Sequence, residues 1–218
     1  YAAFGLKSNE ALLCNFEAAT KGTQAKTTRI QRGGAVTALA FSAHSRYLAV
    51  GSEDKTATVV DVISGNTMVR LPGISGRVTS IAYSHDNKLI AVGSTSQEVS
   101  IVAFTSNQDS QIVHKQKYGG NVHSVAFSSD DDFVAVGSDC KGTEGEHYKK
   151  EPSLEIFSTD TSKIADVIKC RNKVWSVAFS HDSSLLAVGS FDKAVRIVET
   201  PGSHTGYCAT KEVQVPVK

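Results

Sequence analysis

The stretch that decides the fold is KVWSVAFSHDSSLLAVGSFDKAVRIVE, residues 173–199, because the rest of the chain repeats it. Its opening part, VWSVAF from Val174, has counterparts in VTALAF from Val36, VTSIAY from Val78 and VHSVAF from Val122. In all four copies the final aromatic residue is followed, eight positions later, by the tetrad AVGS. The copies start 42, 44 and 52 residues apart, and a period of this size is typical of stacked or radial repeats.

Each repeat predicts four short β-strands. In the first complete unit these are VTALAF, RYLAVGS, TATVVDV and NTMVRL, which are rich in residues that suit a pleated sheet. Turn-forming residues such as Ser-Gly-Asn at 64–66 separate the strands. The opening segment reads as the last three strands of a unit whose first strand is missing. We therefore divide the chain into a partial unit, 1–32, and four units, 33–72, 73–118, 119–170 and 171–218.

The apolar residues of each first strand predict how the units pack. Because side chains alternate along a strand, Val36 and Leu39 are expected on opposite faces of the sheet, as are Val174 and Val177. A strand that is apolar on both faces is buried on both faces. We therefore expect the sheets to pack face to face around a common axis.

Composition excludes several classes of protein. Lys and Arg number 23 against 22 Asp and Glu, so the chain has no basic field to hold a nucleic acid as its main partner. The longest apolar runs are strand-sized, and no transmembrane segment is expected. The four cysteines form no CxxC pair, which favours reduced thiols in a cytoplasmic or nuclear protein.

The repeat reading V-x-S-V-A-F-S-x-D-x-x-L-L-A-V-G-S-x-D-K-x-V-x-I resembles the WD-repeat family of β-propellers. The matching positions are the aromatic residues, the Gly-Ser pairs and two turn aspartates, as in Phe41, Gly51-Ser52 and Asp54. The Trp of the family's signature dipeptide is absent, and Val60, Val102, Phe157 and Val198 stand in its place. No Gly-His pair precedes a first strand. The repeats are therefore divergent, and we expect their cohesion to depend on apolar packing.

The resemblance implies an all-β fold, a β-propeller of four-stranded antiparallel blades. Four repeats and a partial one are visible in the chain, whereas rings of the family have about seven blades. The chain begins in mid-pattern, as a fragment would, and we expect the rest of the ring to come from further sequence or from another chain. The resemblance also implies a non-enzymatic scaffold, a subunit of a larger complex that binds other proteins through its upper rim.

Variable positions in the repeat supply the candidate binding residues. The second residue of each first strand, and the residue before the strand, are expected at the upper rim. Trp175 is interpreted either as a binding anchor or as filling a gap between blades. The loop 139–152 is longer than its counterparts and is expected to project toward a partner. The candidate partner-binding residues are Phe191, Trp175, His123, Arg77, Lys173, Tyr148, Lys149 and Lys150.

Two sets of residues suggest catalysis or metal binding, but neither is expected to act in this way. Ser84-His85-Asp86 and Ser180-His181-Asp182 contain the residue types of a hydrolase triad, yet adjacent residues in a turn cannot converge as a triad must. Cys140, Glu144, Glu146 and His147 lie close in sequence, but their spacing matches no structural metal site. We expect no catalytic residue, metal or cofactor.

An alternative function rests on Ile30-Gln-Arg-Gly33. This string is similar to the Phe-Arg-Arg-Gly motif of phosphoinositide-binding propellers, which are recruited to membranes. Arg32 matches the second arginine of that motif, but Gln31 replaces the first. One arginine offers half of the charge-assisted grip on phosphate.

Overall fold

The structure is a computed structural model that describes residues 1–16, 26–105, 109–139, 154–168, 170, 172–201 and 210–213. The described residues contain only strands and turns. Sheet 1 comprises β1 (Ala2–Gly5), β2 (Glu10–Asn15) and β3 (Lys26–Gln31). Sheet 2 comprises β4 (Val36–Phe41), β5 (Tyr47–Ser52), β6 (Ala57–Asp61) and β7 (Thr67–Arg70).

The other three sheets follow the same plan. Sheet 3 comprises β8 (Val78–Tyr83), β9 (Leu89–Ser94), β10 (Glu98–Phe104) and β11 (Ser110–Lys117). Sheet 4 comprises β12 (Val122–Phe127), β13 (Phe133–Ser138), β14 (Leu154–Ser158) and β15 (Ile164–Ile168). Sheet 5 comprises β16 (Val174–Phe179), β17 (Leu185–Ser190), β18 (Val195–Glu199) and β19 (Thr210–Val213).

Within each sheet, strands adjacent in sequence pair antiparallel. The first strands of successive sheets contact one another, β4 with β8, β8 with β12 and β12 with β16, while β1 contacts β4. The sheets are thus arranged like the blades of a propeller, with their first strands innermost. This confirms the predicted all-β class with four-stranded antiparallel blades, while the number of blades in a ring stays a prediction. None of the described residues form a helix that is long and apolar enough to cross a membrane.

The apolar core lies between successive sheets, where the repeated AVGS tetrad leaves room for a valine of the next sheet. A Cβ atom on Gly51 would lie 2.3 Å from Cγ1 of Val78, closer than two carbon atoms can approach. The same relation holds for Gly93 with Val122, at 2.6 Å. Val78 and Val122 are fully buried in these notches, and each buried valine stabilises the fold by roughly 1.5–3 kcal/mol. The tetrad therefore requires glycine because two sheets approach closely.

A β-bulge in each innermost strand overturns one packing prediction. Register shifts follow the first residue of β4, β8, β12 and β16. Because a bulge inserts one extra residue, it resets the alternation of side chains. Val78 and Ile81 accordingly both contact the position of Gly51, at 2.3 and 2.8 Å from its ideal Cβ. Our prediction that the first and fourth residues of these strands point to opposite faces is wrong, because that prediction assumed a regular strand.

The turns between first and second strands are held by local hydrogen bonds. In sheet 3, Ser84 Oγ donates to Asp86 Oδ1 at 2.7 Å and accepts from the amide of Leu89 at 2.8 Å. Asn87 has a positive φ of 62° in this turn. The Ser-His-Asp string therefore forms a turn, as the sequence predicts, and Ser180 and Asp182 repeat the arrangement in sheet 5.

Candidate functional site

The bulges bring the second residue of each innermost strand to the same edge of successive sheets. Thr37 and Thr79 use this position to join sheets, because the hydroxyl of each donates to a backbone carbonyl of the next sheet. The Oγ1 of Thr37 lies 2.6 Å from the oxygen of Val78, and the Oγ1 of Thr79 lies 2.6 Å from that of Val122. In sheets 2 and 3 this position is therefore structural.

His123 and Trp175 occupy the same position in sheets 4 and 5 with different chemistry. The ring of His123 stacks on the indole of Trp175, with centroids 4.6 Å apart and planes 24° from parallel. Nε2 of His123 lies 2.6 Å from Oδ1 of Asp139, which fixes the ring. The indole is 54% exposed, so its outer surface is accessible while its inner surface rests on His123.

Arg77 lies at the same edge, immediately before β8. Its Nη1 donates to Oε1 of Glu53 at 2.9 Å, and its backbone amide donates to Oγ1 of Thr95 at 3.0 Å. Both charged side chains are about half exposed, and an exposed pair of this kind contributes at most about 1 kcal/mol to stability. The guanidinium is therefore held in place but can exchange its carboxylate for one on a partner.

These residues surround a cleft of about 340 Å³ that we call the rim cleft. Its wall combines hydroxyls, an ion pair and an indole. That volume is at the lower end for a small-molecule site and matches a few side chains of a peptide. The main residues of the rim cleft are Thr37, Glu53, Arg77, Thr79, His123 and Trp175.

Lys173 and Phe191 extend the rim cleft on the side of sheet 5. Nζ of Lys173 lies 5.1 Å from the centroid of the Trp175 ring and 4.8 Å from that of Phe191. The two aromatic centroids are 6.1 Å apart, and Phe191 is 61% exposed. A cation beside exposed aromatic rings suits a partner that offers a carboxylate next to an apolar side chain.

Five of the residues predicted from sequence therefore meet at one edge of the molecule. They are Arg77, His123, Lys173, Trp175 and Phe191. Tyr148, Lys149 and Lys150 lie outside the described residues, together with most of the loop 139–152 and the string from Cys140 to His147.

Sequence reasoning missed Glu53, Thr95 and Asp139, although a signal for them was present. Each of these residues directly follows the Gly-Ser pair of its unit, as Phe191 does in sheet 5. Glu53 pairs with Arg77 and Asp139 with His123, so this position supplies one wall of the rim cleft. The fixed spacing of the repeat places these three residues at the position that Phe191 occupies in sheet 5.

Arg32 lies elsewhere and serves the fold. Its guanidinium donates to Oγ1 of Thr58 at 2.9 Å and to Oγ1 of Thr56. Burial lowers the pKa of Arg32 from its ordinary value, while the charge of Asp54 opposes that shift. Because these hydrogen bonds are internal, the geometry of Arg32 gives no support to a lipid headgroup site, and the phosphoinositide alternative stays a prediction.

Across the described ranges, no group of three His, Cys, Asp or Glu side chains is placed to hold a metal ion. Asp182, in one of the two triad-like strings, has a pKa lowered to about 2 by hydrogen bonds from Ser180 and Ser184. A carboxylate with so low a pKa is a poor general base near neutral pH. In this string Asp182 therefore serves as the hydrogen-bond acceptor of a turn.

Comparison with known families agrees with this geometry. The sequence profile of the WD domain, G-beta repeat matches residues 23–61, 65–102, 110–141 and 163–199. These matches cover more than half of the chain, so the chain belongs to the WD-repeat family. Repeats of this family generally form non-enzymatic scaffolds for interactions between proteins. No curated protein matches the chain.

Proposed function

We propose that this chain is a scaffold that binds a partner protein in the rim cleft. The observation that carries the proposal is a pair of exposed aromatic residues, Trp175 and Phe191, with Lys173 beside both rings and His123 stacked beneath the indole. Exposed large aromatic rings are costly on a monomer surface and are typical anchors at interfaces. The partner would place an apolar side chain on the indole and a carboxylate beside Lys173 or Arg77.

We further propose that the chain acts as a subunit of a larger complex in the cytoplasm or nucleus. Cys14 carries a free thiol, which suits a reducing compartment. The near balance of charge leaves the rim cations as a local feature, so recognition would depend on the site rather than on a general field.

Charge reversal at the rim tests the proposal. In the variant Arg77→Glu with Lys173→Glu, partner capture by the purified, immobilised chain should fall on the order of ten-fold, because like charges would face the partner's carboxylate. Captured proteins would be identified and quantified by mass spectrometry. The variant should unfold within a few degrees of the unchanged chain, since both side chains are exposed or half-buried.

A matched control carries the same change of charge elsewhere. Lys7→Glu with Lys117→Glu alters two exposed lysines that do not line the rim cleft and should leave capture unchanged. If both double variants retain the same proteins in the same amounts, the rim cleft is not the binding site. If both lose them equally, only overall charge matters, and the proposal is also wrong.

A further inference from the structure

The innermost strands of sheets 3 and 5 are each preceded by a basic residue, Arg77 and Lys173, at the same position of the repeat. The backbone holds both residues in the same way. The carbonyl of Arg77 accepts from the amide of Thr95, and the carbonyl of Lys173 accepts from the amide of Phe191, both at 2.9 Å. The two basic side chains therefore start from equivalent backbone positions.

Sheets 3 and 5 also lie in the same way against the sheets before them. The first valine of each innermost strand lies in the glycine notch of the preceding sheet, 2.3 Å from the ideal Cβ of Gly51 for sheet 3 and 2.6 Å from that of Gly137 for sheet 5. The residue two positions after each of these glycines is acidic, Glu53 in sheet 2 and Asp139 in sheet 4. In sequence position, each cation therefore has a carboxylate in the preceding sheet.

The two cations nevertheless have different partners. Nη1 of Arg77 lies 2.9 Å from Oε1 of Glu53. Across the described parts of the chain, no ion pair includes Lys173. Its Nζ lies instead beside the rings of Trp175 and Phe191, 5.1 and 4.8 Å from their centroids. Lys173 is therefore the cation of the pair whose charge no carboxylate offsets.

His123 explains this difference, because it occupies the carboxylate that would correspond to Glu53. Oδ1 of Asp139 lies 2.6 Å from Nε2 of His123, and its Oδ2 accepts from the amide of Asn121 at 3.2 Å. In sheet 2 the position of His123 is taken by Thr37, whose hydroxyl donates to a backbone carbonyl of the next sheet. The carboxylate of Glu53 thus stays with Arg77, while the carboxylate of Asp139 is held within its own sheet.

We infer that Lys173 is the residue that binds an acidic side chain of the partner, and that His123 keeps Lys173 available by holding Asp139. This inference rests on the proposed binding at the rim cleft and names the chemistry recognised there. A carboxylate that binds Arg77 must displace Glu53, so that one ion pair replaces another. A carboxylate that binds Lys173 displaces no acid and adds an ion pair.

The aromatic rings beside Lys173 define the rest of the group that binds. Trp175 and Phe191 are 54% and 61% exposed, and their centroids are 6.1 Å apart. Apolar atoms next to the carboxylate would cover these rings and remove water from around the ion pair, which strengthens it. The partner therefore offers a carboxylate attached to, or directly beside, an apolar group.

A small acid of this kind tests the recognition directly. The probe is 3-phenylpropionate, in which a phenyl ring carries a carboxylate through a short apolar stem, and its neutral match is 3-phenylpropionamide. Trp175 is the single tryptophan of the chain, so its fluorescence reports binding. The acid should change the emission in a saturable way with a Kd on the order of millimolar, as expected for so small a ligand, and the amide should bind on the order of ten-fold more weakly. No saturable change, or an amide that binds as tightly as the acid, overturns the inference.

Variants of the two cations identify which one binds the acid. Lys173→Gln should abolish the preference for the acid over the amide, whereas Lys173→Arg keeps the charge and should keep the preference within about three-fold. Glu53→Gln with Arg77→Gln removes the other ion pair without changing the net charge and should weaken the acid by less than about three-fold. Lys117→Gln, at an exposed position outside the rim cleft, controls for overall charge. If the Glu53 and Arg77 double variant loses the preference and Lys173→Gln keeps it, the inference is wrong.

The role of His123 as a positioning residue has its own test. His123→Phe keeps an aromatic ring beneath the indole but cannot hydrogen bond to Asp139. The released carboxylate should then pair with Lys173 and weaken the acid by about five-fold, with little effect on the amide. Adding Asp139→Asn should restore the affinity for the acid, because the competing charge is removed. Unchanged binding in His123→Phe, or no recovery in the double variant, contradicts this role.

Capture of partner proteins by the immobilised chain separates this inference from the proposed function. Lys173→Gln should lose the captured proteins, and Glu53→Gln with Arg77→Gln should retain most of them. If capture depends on Arg77 and not on Lys173, the inference is wrong while the rim cleft remains the binding site. If neither change affects capture, both the inference and the proposed function are wrong.

Discussion

Sheets 3 and 5 carry the same AVGS tetrad in different surroundings. In sheet 3 the notch at Gly93 holds Val122, and the paired Val99 is buried. In sheet 5 the described atoms nearest to an ideal Cβ on Gly189 belong to Ser176 of its own sheet, at 3.8 and 3.9 Å, and the paired Val195 is 39% exposed. The strands themselves are equally regular in both. The glycine is thus not needed to form a sheet; it is needed to receive the next one.

The largest expected effect comes from filling a notch. Gly51→Val should destabilise the chain by about 3 kcal/mol, because the new side chain overlaps Val78, and this corresponds to a fall in Tm of roughly 6–12 °C for a chain of this size. Gly189→Val should leave Tm unchanged or slightly raised, since the nearest described atoms lie 3.8 Å or more from an added Cβ and valine suits a strand better than glycine. Thermal unfolding followed by circular dichroism measures both, and equal losses would contradict the comparison.

A smaller difference in stability is expected for Val99 and Val195, the valines that pair with Gly93 and Gly189 in sheets 3 and 5. Val99→Ala should cost about 2 kcal/mol, because two buried methyl groups are removed and a cavity is left. Val195→Ala should cost less than about 0.5 kcal/mol, because the side chain is partly exposed in the unbound chain. Urea denaturation gives both values, and a cost at Val195 as large as that at Val99 would show that Val195 is buried in solution.

A hydrogen bond between the innermost strands of sheets 4 and 5 provides a third matched pair. The amide of Val177 donates to Oγ of Ser124 at 3.2 Å. Ser124→Ala removes the acceptor for the amide of Val177 and should cost about 1 kcal/mol. Ser176→Ala changes the equivalent residue of sheet 5, which is exposed, so its effect on unfolding should be close to zero. Hydrogen exchange of the Val177 amide should accelerate in the first variant only.

The smallest expected effect on stability is the pH-dependent contribution of Asp54. Burial disfavours its charge, but hydrogen bonds from Thr56 and Gly33 and the nearby charge of Arg32 lower the pKa of Asp54 below its ordinary value. A lowered pKa in the folded state means that the carboxylate stabilises the fold above about pH 4 and that this contribution is lost as the pH falls through the lowered pKa. Asp54→Asn should therefore lower stability by roughly 0.5–1 kcal/mol near neutral pH, with the difference shrinking toward about pH 2. A difference that is constant with pH would assign the effect to shape instead of charge.

The sequence was sufficient to predict the all-β class and the blade-like sheets, because the tetrad and the aromatic residue recur at fixed spacing. It did not predict the bulge after Val36 and its counterparts, since a bulge leaves the residue pattern of a regular strand unchanged. The opposite-face prediction failed for that reason. A strand's alternation can be read from residues, but a shift in its register depends on the partner strand.

For the candidate site, the sequence identified Trp175, His123 and Lys173 as rim residues, but it did not predict that the first two stack. That contact joins residues 52 positions apart in neighbouring sheets, and it depends on how closely the sheets approach. Trp175 is 54% exposed and stacks on His123, and its role as a binding anchor stays a prediction. The hydrogen bond between His123 and Asp139 likewise depends on how neighbouring strands are placed, which the sequence alone does not give.

The hydrogen bonds that join the turns of successive sheets have a direction. Asn87, Asp131 and Ser183 each serve the turn of the sheet before them, so a unit becomes fully bonded only after its successor has formed. On a ribosome, which releases the chain from its amino end, the unit that emerged last would have the fewest hydrogen bonds to neighbouring units. Each new unit would then stabilise the one before it. The order of synthesis and the direction of these hydrogen bonds are thus the same. This favours folding of the sheets one after another from the amino end.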